Sequence, residues 1–188
     1  MLTSLSSLWL PIVLSGVALF FASFVAWMLL PHHKSEWKGL SDEDGVMGAL
    51  RKFNIPPGQY VYPHASRPEE MKSEDYNRRL QAGPIGSLTV YKARPNMGVN
   101  MLCTVLFFTI ANAVIAYLAG MVIKPKPDTD FMFVFRFVGT TGILTYGTAN
   151  ILNGIWFNRK MVADILDGVV YGLITGLIFA ALWPGAAA

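Results

Sequence analysis

The chain has 188 residues, of which 53% are hydrophobic and only 14% charged, with a mean hydropathy of +0.43. Soluble domains carry about 25% charged residues, so this composition excludes an ordinary soluble enzyme and an intrinsically disordered chain alike. The charges are also crowded, because residues 31–98 hold 10 of the 15 Lys/Arg and 8 of the 12 Asp/Glu. That is the pattern of one polar segment set in a membrane protein. The single cysteine, Cys103, excludes an intrachain disulfide and any cysteine-based zinc or iron–sulfur centre. The net charge of +3 does not point to nucleic acid. The polar segment is nearly balanced and its longest basic runs are the doublets Arg51-Lys52 and Arg78-Arg79, whereas phosphate binding needs a clustered basic face.

Runs of about 20 apolar residues, the length that crosses roughly 30 Å of hydrocarbon, occur four times. The first covers Leu8 to Leu30. It lacks a basic flank ahead of it and ends in Trp27-Met28-Leu29-Leu30 rather than small residues, so it is expected to be retained as a helix and not cleaved as a signal peptide. Its small residues Ala18, Ala22 and Ala26 recur every four positions and form a candidate packing stripe.

Residues 31–98 follow as a polar cap rich in proline and glycine. His32 and His33 stand at its start. They read as a basic flank beside Lys34, with metal ligation as the sharper alternative. Ser41 with Asp44 three residues on has the spacing of a capping box, and Val46, Met47, Leu50 and Phe53 then share one face of an amphipathic helix suited to the membrane surface. Asn54-Ile55-Pro56-Pro57-Gly58 ends it, and Gln59 to Pro63 is extended. A second helix is expected over Pro68 to Gln81, with Glu74–Arg78 and Asp75–Arg79 ion pairs. Ser87 to Lys92 alternates polar and apolar residues and is expected to pair with the 59–63 strand.

The second apolar run covers Val99 to Ile123 with Asn112 near its middle; the third covers Phe131 to Phe157 and contains Arg136, Tyr146 and Asn150. Intramembrane polar groups are costly unless paired, so Asn112, Tyr146 and Asn150 are expected to hydrogen-bond across the bundle. Arg136 is expected to reach the headgroups, or to pair with Asp128, Asp130 or another subunit. Thr141, Thr145, Ala149 and Asn153 share one face of the third run. The fourth, Ile165 to Trp183, carries the clearest stripe of the chain, Gly168, Gly172, Gly176 and Ala180. Asp164 and Asp167 precede it or open it, where carboxylates complement a helix N-terminus. Trp9, Trp27, Trp156 and Trp183 flank the runs as expected of interfacial anchors.

The fold expected is therefore an all-α membrane protein of four transmembrane helices with a Pro/Gly-rich polar cap between helices 1 and 2. It divides into an N-terminal helix (1–30), the cap (31–98) and a three-helix block (99–184). With residues 31–98 in the cytoplasm, 12 Lys/Arg lie inside against two, Lys124 and Lys126, outside. Both termini then face outward.

Recognisable catalytic chemistry is missing. The three histidines, His32, His33 and His64, all lie in the polar segment, so paired histidines cannot hold a haem inside the spans. No phosphate loop, zinc-protease or nucleophile-elbow motif occurs. Asn54-Ile55-Pro56-Pro57-Gly58 with Tyr60 and Pro63, Gly83-Pro84-Ile85-Gly86, Phe135-Arg136-x-x-Gly139-Thr140, and Asp167-Gly168-x-x-Tyr171-Gly172-x-x-Thr175 ending in Leu182-Trp183-Pro184 resemble a group of small, uncharacterised bacterial inner-membrane proteins. The resemblance covers residues 45–184. It implies a bacterial inner-membrane location and a multi-span fold, and brings no catalytic residue.

The function expected is that of a non-catalytic accessory subunit of a larger membrane complex, respiratory or photosynthetic. It would have no cofactor of its own and no metal; other membrane subunits and the bilayer are its partners, and nucleic acid is not. The alternative is a protein contacting lipid or pigment at its helix surfaces, or a small oligomeric transporter. A third reading places lipid-headgroup chemistry on Asp164 and Asp167.

Overall fold

The computed structural model describes residues 3–125 and 129–184. The chain forms two compact units, residues 1–38 with 96–188, and residues 39–95. Residues 31–38, with both paired histidines, thus belong to the helical unit.

That unit holds helices α1 (Trp9–Phe24), α4 (Met97–Val122), α5 (Phe131–Gly147), α6 (Ile151–Phe157) and α7 (Val162–Ala181). A 3-10 turn, Leu5–Leu8, leads into α1 and a π-turn, Val25–Leu29, continues it. Among the described residues three helices are long and apolar enough to cross a membrane: Leu5–Leu29, Met97–Val122 and Val162–Ala181. The expected third span is not one helix. It breaks at Thr148–Asn150 into α5 and α6. Along this stretch Thr141, Thr145 and Thr148 each turn their hydroxyl back to the carbonyl four residues earlier, a bond that competes with the helical ladder and bends it.

The helices run antiparallel to their neighbours. Thr3 at the head of the first helix donates from its backbone N–H to Gly120 O (3.2 Å) and from its hydroxyl to Ile123 O (2.7 Å), at the tail of α4. The tail of α5 meets the head of α7, where Gly147 faces Gly168; further along, Gly142 faces Gly172, and Gly139 lies beside Gly172 and Gly176. A Cβ on Gly172 would stand 2.5 Å from Ile143 N, and one on Gly176 2.9 Å from Phe135 O. The glycine stripe is therefore spent inside the chain, against α5. Its partner face is Gly139, Gly142 and Gly147, and not the Thr141, Thr145, Ala149, Asn153 face, most of which is exposed. Ala180 is buried in the same core.

In α1 the buried face is Ile12, Ser15, Gly16 and Leu19; Ala26 is buried, whereas Ala18 and Ala22 are only half-buried. Gly16 makes the close approach, since a Cβ there would lie 2.5 Å from the Thr109 hydroxyl. The core joins Leu8, Leu19, Phe108, Ile115, Val134, Val138 and Phe179. Trp9, Trp27 and Trp156 are exposed as interfacial anchors should be, but Trp183 is buried in the core.

In residues 39–95, α2 (Glu43–Lys52) is capped by Asp42, whose carboxylate accepts from Gly45 N (2.9 Å), in place of the expected Ser41. β1 (Gly58–Tyr62) pairs antiparallel with β2 (Gly86–Val90), Tyr60 opposite Leu88, as the alternation suggested. Between them α3 (Glu74–Ala82) starts at the Ser73 cap. Asp75 binds both Arg78 and Arg79, so the Glu74–Arg78 pair does not form. No residue of this unit is buried, and turns and local hydrogen bonds supply its shape.

Candidate functional site

The antiparallel arrangement gathers the tail of the first helix, the head of α4, the tail of α5 and the head of α7 at one end of the helical unit. Residues 31–38 leave the first helix there and fold back onto α7. His32 Nε2 lies 2.9 Å from Asp167 Oδ1, and His33 Nε2 lies 2.9 Å from Asp167 Oδ2. The other ring nitrogen of His33, Nδ1, is 2.9 Å from Glu36 Oε2. One aspartate thus receives two histidines from a segment more than 130 positions away.

Each ring is held in place. Trp27 stacks on His33 with centroids 3.8 Å apart and planes 10° from parallel, and His32 stands 4.4 Å from His33, tilted. The Tyr171 hydroxyl, one turn after Asp167, donates to Asp167 Oδ2 at 3.4 Å. Lys160 donates to the Ser35 carbonyl at 2.6 Å and fastens the segment. The His33 side chain is 4% exposed and that of His32 29%, so the pair is not a solvated basic flank. Burial works against a charge on His33. The hydrogen bonds to Asp167 and Glu36, with the charges of both carboxylates, outweigh it and raise its pKa above the ordinary histidine value.

Beside this cluster lies a cavity of about 540 Å³ between the helices. Asp164, Asp167, Asn150, Asn100 and Trp27 line it near the helix ends and Phe20, Phe24, Phe107, Phe108, Tyr146 and Tyr171 line the rest; Phe24, Trp27 and Phe107 are exposed, so it is an open groove. Phe108 is 11 residues into α4, about 16 Å along the helix axis. Phe107, Phe108, Tyr146 and Tyr171 form one cluster: Phe108 meets Tyr146 and Tyr171 edge-on at 5.7 and 5.6 Å, and Tyr146 meets Tyr171 at 6.2 Å. Edge-to-face pairs of this kind are worth about 0.5–1.5 kcal/mol each beyond the area they bury.

Other residues singled out in the sequence lie apart or do other work. Asn112 is fully buried but donates to Phe108 O of its own helix (2.8 Å) rather than across the bundle. Asn150 sits in the α5–α6 turn and lines the same pocket as Asp164. Arg136 is exposed and makes no ion pair among the described residues. Asp130 caps α5 by accepting from Met132 N (3.0 Å), and Asp128 and Lys126 lie outside the described residues. The helix-packing glycines line no part of the cavity.

Comparison with protein families, curated proteins and solved structures finds no match to this chain.

Proposed function

We propose that the chain is a four-span protein of the bacterial inner membrane that holds one membrane lipid against its bundle. The observation carrying this reading is the cavity, polar at the helix ends and aromatic within. Its interior suits an acyl chain, and its Asp164 and Asn150 end suits a headgroup bearing an amine or hydroxyls. Sites of this kind are mostly apolar, with a few polar groups that fix orientation. A bundle among lipids meets such a ligand at the concentration of the solvent itself.

The fourth span is α5. Its 17 residues reach about 25 Å, the short end of the spanning range, and it lies antiparallel to α7 in backbone contact. The residue bias of Lys and Arg places residues 31–98 in the cytoplasm and both termini outside. The exposed apolar side chains of α2, Val46, Met47 and Phe53, suit a helix lying on the membrane surface.

An accessory role in a respiratory or photosynthetic complex shares this architecture. Its sequence support is the combination of packing stripes, aromatic-rich spans and a turn-rich cap without recognisable chemistry, and of these the glycine stripe is already covered by α5. What remains for a partner is the ordinary apolar exterior, which lipid covers equally well.

Lipid extracted from the protein purified in mild detergent tests the proposal. About one phospholipid per chain is expected, enriched for amine headgroups over bulk membrane lipid and reduced in Asp164→Asn. A lipid content equal to that of an unrelated helical bundle would refute it, and a stoichiometric companion protein would favour the subunit reading.

A further inference from the structure

Among the described residues, His32, His33 and Asp167 are the one group of three or more His, Cys, Asp and Glu side chains whose ligand atoms converge, all within 4.8 Å of one another. Two imidazoles and a carboxylate are a donor set that suits divalent first-row ions, with zinc ahead of iron and manganese in intrinsic affinity. Ligand atoms about 2.0–2.1 Å from such an ion stand about 2.8–3.4 Å apart at octahedral to tetrahedral angles. The two His–Asp separations of 2.9 Å run to different oxygens of the carboxylate, and the ligand atoms as a set lie within 4.8 Å of one another, so a bound ion would draw the two rings together around one centre.

The surroundings carry the argument further than the triad alone. A histidine that binds a metal almost always donates its other ring N–H to a carboxylate or carbonyl, which fixes the tautomer and makes the ligating nitrogen more basic. Glu36 stands 2.9 Å from His33 Nδ1, in that role, leaving Nε2 directed at Asp167. Glu36 Oε1 is buried with no partner. Trp27 clamps the His33 ring from one face and Tyr171 holds Asp167 from behind. His32, the more exposed ligand, leaves a side open to solvent, and Asp167 also lines the cavity.

We propose that His32, His33 and Asp167 bind a divalent transition-metal ion of the zinc class through three protein ligands, with Glu36 as the positioning residue for His33. The ion takes the place of the protons that the two Nε2 atoms otherwise carry toward Asp167. This proposal is independent of lipid binding.

The test uses the full chain in detergent, stripped with EDTA and titrated with Co²⁺ as a spectroscopic probe, then with Zn²⁺ in competition. The expected result is a visible-band Co²⁺ spectrum saturating near one ion per chain and displaced by Zn²⁺. Glu36→Gln should weaken binding about 10–100-fold while keeping the shape of the spectrum, as a positioning role requires. His32→Ala and Asp167→Asn should weaken it further and change the spectrum, and His64→Ala should do neither. Because Asp167 is buried and its variant could misfold, the half-exposed His32 and the conservative Glu36→Gln decide the matter. A wild-type chain that takes up no ion, or binding unaltered in both His32→Ala and Glu36→Gln, would overturn the proposal and leave the cluster a staple.

Discussion

Gly168 and Gly147 meet backbone to backbone: a Cβ built on Gly168 would lie 2.2 Å from the Gly147 Cα. Gly168→Ala must therefore push α7 off α5 at the end where Asp167 stands. Forcing a methyl into a filled contact costs about 1–3 kcal/mol, read as a lowered melting temperature in detergent. The contrasting position is Gly48 in α2, where nothing lies within 4 Å of an added Cβ. Gly48→Ala should hold or raise stability by about 0.5–1 kcal/mol through helix propensity.

His33 ties residues 31–38 to α7. His33→Ala removes one of the two imidazoles on Asp167, which is 9% exposed, and leaves Oδ2 with only the long Tyr171 contact. Leaving a buried acceptor short of partners costs about 1–3 kcal/mol. Hydrogen exchange should speed up across residues 31–38 while the α1–α4 contact near Thr3 and Gly120 stays protected. Unchanged exchange in 31–38 would mean that the Lys160–Ser35 and His32–Asp167 contacts suffice.

The cap of α2 separates two neighbouring side chains. Asp42→Ala should cost about 1 kcal/mol of helix stability, the usual value for an N-cap acceptor, whereas Ser41→Ala should cost nothing measurable. Circular dichroism of the two variants on thermal unfolding compares them directly.

Orientation follows from cysteine accessibility. In a Cys103→Ser background, Ser4→Cys should react with an impermeant maleimide from outside intact cells, and Ser66→Cys only after permeabilisation. The reverse pattern would invert the topology drawn from the Lys and Arg distribution.

Much of this architecture was legible in the residues, and the failures have physical causes. Apolar run length placed the three long helices, and alternation at Gln59–Pro63 and Ser87–Lys92 gave the strand pair. The break at Thr148–Asn150 was hidden because Thr-Ala-Asn is no strong breaker inside an apolar run. Spacing revealed the Gly168–Gly172–Gly176 stripe but could not name its partner, since a one-dimensional pattern does not say which helix lies opposite. The site was missed for a related reason. His33 and Asp167 are 134 positions apart, and each alone reads as a flank or a helix-end charge. The available signal was joint: a His-His pair just after one span and an aspartate opening another that runs antiparallel to it must share one membrane face.

Lipid retention is the central claim, and native mass spectrometry of the chain released from mild detergent measures it most directly. The wild type should fly with one added phospholipid mass, and Thr104→Trp, which places an indole in the cavity where Thr104 lines it, should fly without it at unchanged melting temperature. A wild-type spectrum showing only bare chain, or a lipid adduct of equal intensity in Thr104→Trp, would contradict the account.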